Sequence, residues 1–299
     1  MVSQIDQLAE GLMFPEGPAI GPDGALYVTE LAGQRISRIS EDGTISTYAD
    51  TGGGPNGAAF DANGDLVVCN NGGRWPSDVP STAEARDPEN GPGVMQRITS
   101  GGDLIEDLTE IDQIGLNSPN DVCFDEHGGY YFTDPVWSGL VGGERTGGSV
   151  CYVNVDGNAS RVATGIGFPN GLGVRADGRI LVVCESLTGM LLSYRIEEPG
   201  ILSPAPKPNG MIGRRSVPDG FCFDESGQII VAGHGSSNIF VLGGEDGRPI
   251  EVIELPEPGP TNCCFGGRDL RTLFVTSSDH GHVFTIEWPV QGMPLHHTL

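Results

Sequence analysis

Lysine is almost missing from this 299-residue chain. Lys207 is its single copy, and all the bases together number 16 against 40 aspartates and glutamates, a formal charge of −24. Nucleic acid and anionic membrane surfaces are poor partners for such a surface. The acidity by itself marks no site: cation binding, adaptation to high salt and an ordinary acidic surface all give it. No run approaches the ~20 apolar residues of a membrane helix. The start, Met1-Val2-Ser3-Gln4-Ile5-Asp6, shows neither the basic nor the apolar region of a signal peptide. The seven cysteines are odd in number and form no CxxC pair, so neither a disulfide framework nor a zinc ribbon is expected. Cys123 and Cys222 read as small buried hydrophobes, and the expected location is the cytoplasm. There is no G-x-S-x-G elbow, which disfavours serine-hydrolase chemistry. No glycine-rich nucleotide loop follows a strand and opens a helix.

Glycine and proline are plentiful, at 47 and 22, as many short strands and turns require. They fall into a repeat. Six apolar anchors, Ile20, Phe60, Phe124, Val174, Phe223 and Phe265, recur every 40 to 64 residues. Four residues before each stand Glu16, Asn56, Asn120, Asn170, Asp219 and Thr261, every one directly after a proline. Five anchors are followed four residues later by a turn glycine, Gly24, Gly64, Gly128, Gly178 or Gly227. The stretch Pro218-Asp219-Gly220-Phe221-Cys222-Phe223 shows the strand period of two, and Gln228-Ile229-Ile230-Val231 is a β-branched return strand. A second hairpin usually follows, as at Glu41-Asp42-Gly43 and Asp156-Gly157.

Four antiparallel strands per repeat, six times over, predict an all-β, six-bladed β-propeller forming one domain over residues 1–299. A β-sandwich does not explain six equivalent Pro-polar positions. The last repeat supplies only three strands, so residues near 4–10 are expected to close the ring beside 281–287. Blade 2 carries the largest insertion, about 71–93, with Trp75; blade 3 carries a glycine-rich loop after Trp137; blade 4 carries a proline-rich excursion over 197–210.

If the first strand of each repeat is innermost, the six post-proline residues ring a central tunnel. The second strands return antiparallel and end on the same face, at Glu30, Asn70, Asp134, Glu185, His234 and Ser277, and are expected to crowd around that ring. The 71–93 insertion leaves from this face and is expected to act as a lid or specificity loop. Glu16, Asn120, Asn170 and Asp219 offer two carboxylates and two amide carbonyls. Such hard oxygen donors suit Ca²⁺, with Zn²⁺, Mn²⁺ and Mg²⁺ as alternatives. Taken singly, each could merely cap a turn; four on symmetry-related strands favour a metal.

The segments Phe14-Pro15-Glu16-Gly17-Pro18, Asn117-Ser118-Pro119-Asn120-Asp121-Val122, Phe168-Pro169-Asn170-Gly171-Leu172 and Pro218-Asp219-Gly220 resemble the SMP-30/gluconolactonase/luciferin-regenerating-enzyme family, to which the diisopropylfluorophosphatases are related. The likeness spans roughly residues 10–287. It implies a propeller with a catalytic divalent metal in the tunnel, held by Glu16, Asn120, Asn170 and Asp219, with Asp219 also the catalytic carboxylate. Cys222 and Asn238 replace an acidic ligand and a histidine of a second, structural calcium, so that ion is not expected here. Ser118 stands where the regucalcin branch has a substrate-touching arginine, so the substrate does not carry over.

The resulting expectation is a metal-dependent hydrolase opening a sugar lactone or similar small ester. Cation polarisation of the carbonyl would accompany water activation or direct attack by Asp219. Phosphotriester hydrolysis at the same site and a non-catalytic calcium-binding propeller are the alternatives. Asn56, Ser118, Asp134, His234, Trp75, Trp137 and Thr261 form the expected substrate-binding set, with His234 the best histidine for proton transfer. His280 and His282 sit in a Ser-Asp-His-Gly-His turn, a spacing that could suggest a metal but is more often that of solvated turn histidines; the tail histidines His296 and His297 carry no role in this reading.

Overall fold

The computed structural model describes residues 4–74, 91–136, 147–213, 216–244 and 246–296. Every regular element among them is a strand. Six antiparallel sheets follow one another along the chain, each opening on a strand that faces the axis. These inner strands are Pro15–Ile20, Pro55–Phe60, Val122–Phe124, Pro169–Val174, Val217–Phe223 and Pro260–Gly266. Each packs against the next in sequence, and the last packs against the first, so the ring is closed. The chain is a six-bladed β-propeller with four antiparallel strands per blade.

The seam lies in blade 6. Ile5–Ala9 pairs antiparallel with His282–Glu287, in the register Ile5↔Ile286 and Ala9↔Val283, and completes the sheet from the other end of the chain. Blade 4 departs from expectation. The proline-rich excursion holds the outer strand Lys207–Met211, which pairs with Met190–Glu198. Pro208 is tolerated there because an edge strand leaves one side of its backbone unpaired. Blade 3 has a shortened inner strand and is preceded by a small hairpin, Glu110–Ile111 with Ile114–Gly115.

Among the described residues no apolar cluster belongs to one blade alone. The six apolar clusters lie between successive blades, each filled by side chains from both. Tyr27, Ile36, Phe60 and Val68 belong to the first junction. Val28, Leu26, Ala9 and Val283 belong to the seam. Each fully buried aliphatic is worth about 1.5–3 kcal/mol, and the benefit exists only when both neighbours are present.

Towards the axis the strands meet backbone to backbone. A Cβ at Gly57 would lie 2.4 Å from Asp121 Oδ1 and 2.5 Å from Asp121 Cα, and one at Gly171 would lie 2.4 Å from the Asp219 carbonyl. Glycine after the polar residue therefore lets neighbouring inner strands close on one another. In five of the six inner strands the register also shifts just there, as between Glu16 and Ala19 or Pro218 and Phe221. Such bulges re-aim the side chain beside them.

Below the polar ring the tunnel wall is mostly apolar, with Asp121 and Asn262 reaching it. A cavity of about 130 Å³ is lined by Phe60, Phe124, Phe221, Phe223 and Phe265, with Met293, Leu295 and His296 also at its wall. The C-terminal segment is held there by Met293 N donating to Phe223 O at 2.9 Å, and by a 2.8 Å contact between His296 Nε2 and Arg175 O. His296 thus has a place that the sequence did not signal.

Candidate active site

The six second strands end at Glu30, Asn70, Asp134, Glu185, His234 and Ser277. A buried carboxylate or amide must find hydrogen bonds, and most of these find them in the loop that delivers their own blade's inner strand. Glu30 accepts from Met13 N at 2.7 Å, Asn70 from Gly54 N at 2.8 Å and Glu185 from Gly167 N at 2.7 Å. Asp134 Oδ1 accepts from Asn117 N and Ser118 N, both at 2.8 Å, and its Oδ2 accepts from Asn117 Nδ2 at 3.0 Å. Ser277 Oγ donates to Pro258 O at 3.0 Å. These bonds tie five of the strand ends to the loops that lead into the inner strands. Asp134 holds the loop carrying Ser118 and Asn120, and Ser118 is buried within that brace. The sixth end is His234, whose Nδ1 stands 3.9 Å from Asp219 Oδ2.

Hydroxyl groups tie each of four blades to the inner strand of the next. Thr133 Oγ1 donates to Asn170 O and Ser186 Oγ to Pro218 O, both at 2.8 Å, and Thr261 Oγ1 donates to Pro15 O at 2.7 Å. Thr29 Oγ1 makes the same kind of bond to Asn56 O. Thr261 is fully buried and its hydroxyl also meets Thr276, so it serves the wall of the ring. Asn56 is buried beside Gly17. Trp75 and Trp137 lie outside the described residues, as do positions 76–90 of the insertion expected to form a lid.

Glu16, Asn120, Asn170 and Asp219 are all buried on the inner strands or at their entry. Asn170 donates to Asp219, and its Nδ2 also reaches Ser186 Oγ at 3.3 Å. Phe14 and Phe168, each one residue before the proline, hold φ at 57°, a left-handed conformation rare for a bulky residue. The Phe14 ring lies 6.3 Å from that of His234.

One further acid shares the axis. Asp121, directly after Asn120, accepts from Val122 N at 2.9 Å and is hydrogen-bonded by Asn262 and by the Leu172 backbone. Asn262 belongs to blade 6, opposite blade 3 in the ring, so this pair spans the tunnel. Asp121 and Asn262 occupy the two positions where the repeat lacks glycine. That break in pattern is the signal by which the sequence could have shown them.

Burial pushes Asp121 up to about 7. Burial, and then the charges of Asp219 and Asp121, hold Glu16 well above the ordinary carboxylate range. Burial, followed by Asp121, does the same to Asp219, against a lowering bond from Asn170. Among the described residues, no Lys or Arg is one of the groups that shift these three acids. They are an anionic cluster that protons or a cation must neutralise. Among the described residues no three His, Cys, Asp or Glu side chains already surround a cation-sized point. The donor set here would be two carboxylates with two carboxamides, which fits a hard divalent ion.

Three comparisons bear on this arrangement. Diisopropyl-fluorophosphatase of Loligo vulgaris is 32% identical over 200 residues, 62% of this chain and 63% of that protein. An uncharacterized protein of Sulfolobus acidocaldarius is 27% identical over 74% of this chain and 84% of its own length. Regucalcin of Sus scrofa is 27% identical over 46% of each chain. The match thus spans under two thirds of the phosphatase and under half of regucalcin. Among solved structures, a gluconolactonase from Xanthomonas campestris superposes with a TM-score of 0.78 at 24% identity, covering 95% of this chain and 89% of that one. A calcium-binding regucalcin from Agrobacterium tumefaciens gives 0.79 at 16%, covering 100% and 97%. Likeness at these identities shows the fold. The model of the SMP-30/gluconolactonase/LRE-like region matches residues 14–279, and the chain belongs to that family.

Proposed function

We propose that this chain is a divalent-cation-dependent hydrolase that opens small lactones or esters at the tunnel mouth, within a single propeller domain. The observation that carries this reading is the axial cluster of three buried acids, with no Lys or Arg of the described residues among the groups that shift them. Glu16, Asn120, Asn170 and Asp219 would hold the ion, Ca²⁺ by the hardness of the donors. When bound, the cation supplies positive charge to the cluster and polarises the carbonyl or phosphoryl oxygen of an ester.

The protein's own groups do the rest. Asn170 directs its amide nitrogen to Asp219 and Ser186, so its Oδ1 would be the atom available to hold the ion. Asp219 removes a proton from the attacking water, or attacks the carbonyl itself. His234, 3.9 Å from Asp219 on the rim, would pass that proton to solvent or to the leaving alkoxide. Asp121, below them, keeps the local potential negative and so favours cation occupancy.

A phosphotriester is the second reading. It is favoured by the match to the squid phosphatase at 32%, against 27% for regucalcin. The test is a pH-stat screen of aldonolactones, aliphatic lactones and phosphotriesters, with and without chelator. Lactone turnover that chelator abolishes and calcium restores supports the first reading. Turnover confined to phosphotriesters selects the second, and turnover indifferent to chelator removes the cation from both.

A further inference from the structure

The face that carries the axial ring also holds a guanidinium that no carboxylate pairs with. Arg74 stands four residues beyond Asn70, where the second strand of blade 2 ends on that face. Its backbone is fixed locally. Asn71 N donates to Gly54 O at 2.9 Å, and Asn71 Oδ1 accepts from Gly73 N at 3.0 Å and from Arg74 N at 2.9 Å. The half-buried side chain turns to blade 3, where Arg74 Nη1 donates to Asn117 O at 3.0 Å as well as to Asn71 O at 2.7 Å. Asn117 opens the loop that delivers Ser118 and Asn120. The guanidinium thus lies against the backbone three residues before a proposed cation ligand.

Arg35, beside the blade-1 strand end, shows the contrast. Its Nε and Nη2 hold Glu30 Oε1 and Oε2 at 2.7 and 3.1 Å. That is the two-donor edge with which a guanidinium matches a carboxylate. Among the described residues, the same edge of Arg74 takes no hydrogen bond and Arg74 forms no ion pair. Asp134 is the acid near enough to act on it, but the Asp134 oxygens are already filled by Asn117 N, Ser118 N and Asn117 Nδ2. Burial pushes the Arg74 guanidinium below its ordinary range, and Asp134 only opposes that. A guanidinium drawn partly out of water without a counter-ion is unfavourable, and an arriving anion relieves it. The two carbonyl partners already hold the side chain in one orientation, so little of its freedom is lost on binding.

We infer that Arg74 is a specificity-determining residue that binds a carboxylate carried by the substrate, and that the preferred substrates are lactones of acidic sugars. This rests on the hydrolase reading above. With a cation on the axial acids, the ester carbonyl goes to the ion and the free carboxylate to Arg74. Two points of attachment fix the orientation of the reacting bond. A neutral lactone keeps only the first.

The test compares two lactones of one ring size on the calcium-loaded full chain: glucarolactone, which has a free carboxylate, and gluconolactone, which has a primary alcohol in its place. Wild type should favour glucarolactone in kcat/KM. Arg74→Ala should lower kcat/KM for glucarolactone about tenfold or more, mainly through KM, and leave gluconolactone within about twofold, as loss of a charged hydrogen-bonded pair requires. Arg74→Lys keeps the charge without the paired donors and should fall between. Loss of the tie to Asn117 alone would lower both lactones equally, because Asn120 serves every substrate. An equal fall, no fall, or a wild type that favours gluconolactone overturns the proposal. If wild type opens neither lactone, the hydrolase reading fails and calorimetry decides the role of Arg74 by itself. Glucarolactone bound about tenfold more weakly by Arg74→Ala than by wild type supports that role; equal affinity, or no binding by wild type, overturns it.

Discussion

A carboxylate that leaves water needs hydrogen bonds or a counter-charge, and this molecule uses the two solutions at different places. Asp134 and Glu185 obtain backbone N–H groups and become braces. Glu16, Asp121 and Asp219 repel one another on the axis and are held above the ordinary carboxylate range. Between pH 4 and about 7 the folded chain therefore keeps protons that the unfolded chain releases. Without a cation, stability should fall as pH rises through that window. In chelator the melting temperature should be lower at pH 8 than at pH 5, calcium should narrow the gap, and Asp121→Asn should flatten the slope. A chelated wild type whose melting temperature holds steady or rises over this range would contradict the shared-proton description. Glu16→Gln keeps size and one oxygen donor but removes a charge. It should weaken calcium binding at least tenfold, with hydrolysis partly restored at high calcium; calcium titration of the variant checks this. Glu16, Asn120, Asn170 and Asp219 were legible because each follows a proline in a repeat. Asp121 was not, since one acid beside a repeat position looks like a turn residue until the ring closes around it.

Single strands and turns carried most of what the sequence revealed. The second-strand ends at Glu30, Asn70, Asp134, Glu185, His234 and Ser277 follow from the turn glycines and the period of two. What these ends do was hidden, because a side chain's partner lies in a loop whose path no local pattern sets. The outer strand of blade 4 was hidden for another reason: Pro208 and the nearby prolines read as a break, although an edge strand accepts them. The N-terminal strand should matter far beyond its length, as it completes the blade-6 sheet and buries Ala9 in the seam. Deleting residues 1–10 should lower the melting temperature of the whole propeller, and an unchanged value would contradict closure by this strand. Gly57→Ala forces a Cβ against the Asp121 backbone. Overpacking of this kind costs about 1–3 kcal/mol or more, which chemical denaturation can measure.

The ring as a whole explains why six weak local signals produce one site. Each blade buries its faces only against its neighbours, so the six inner strands must converge, and the residue after each proline is brought to one end of a common axis. The apolar half of the tunnel, with Met293 and Leu295 from the C-terminal segment in its wall, lies on the far side of that polar ring. Asp219 is where the fold, the buried charge and His234 meet. The most direct test of its role is the lactone-hydrolysis rate of Asp219→Asn at saturating calcium, with folding and calcium binding verified in the same sample. Loss of a general base or nucleophile should lower the rate by about 10²–10⁴ while the variant stays folded and still binds the ion. Hydrolysis at the parental rate would show that Asp219 is no more than a ligand.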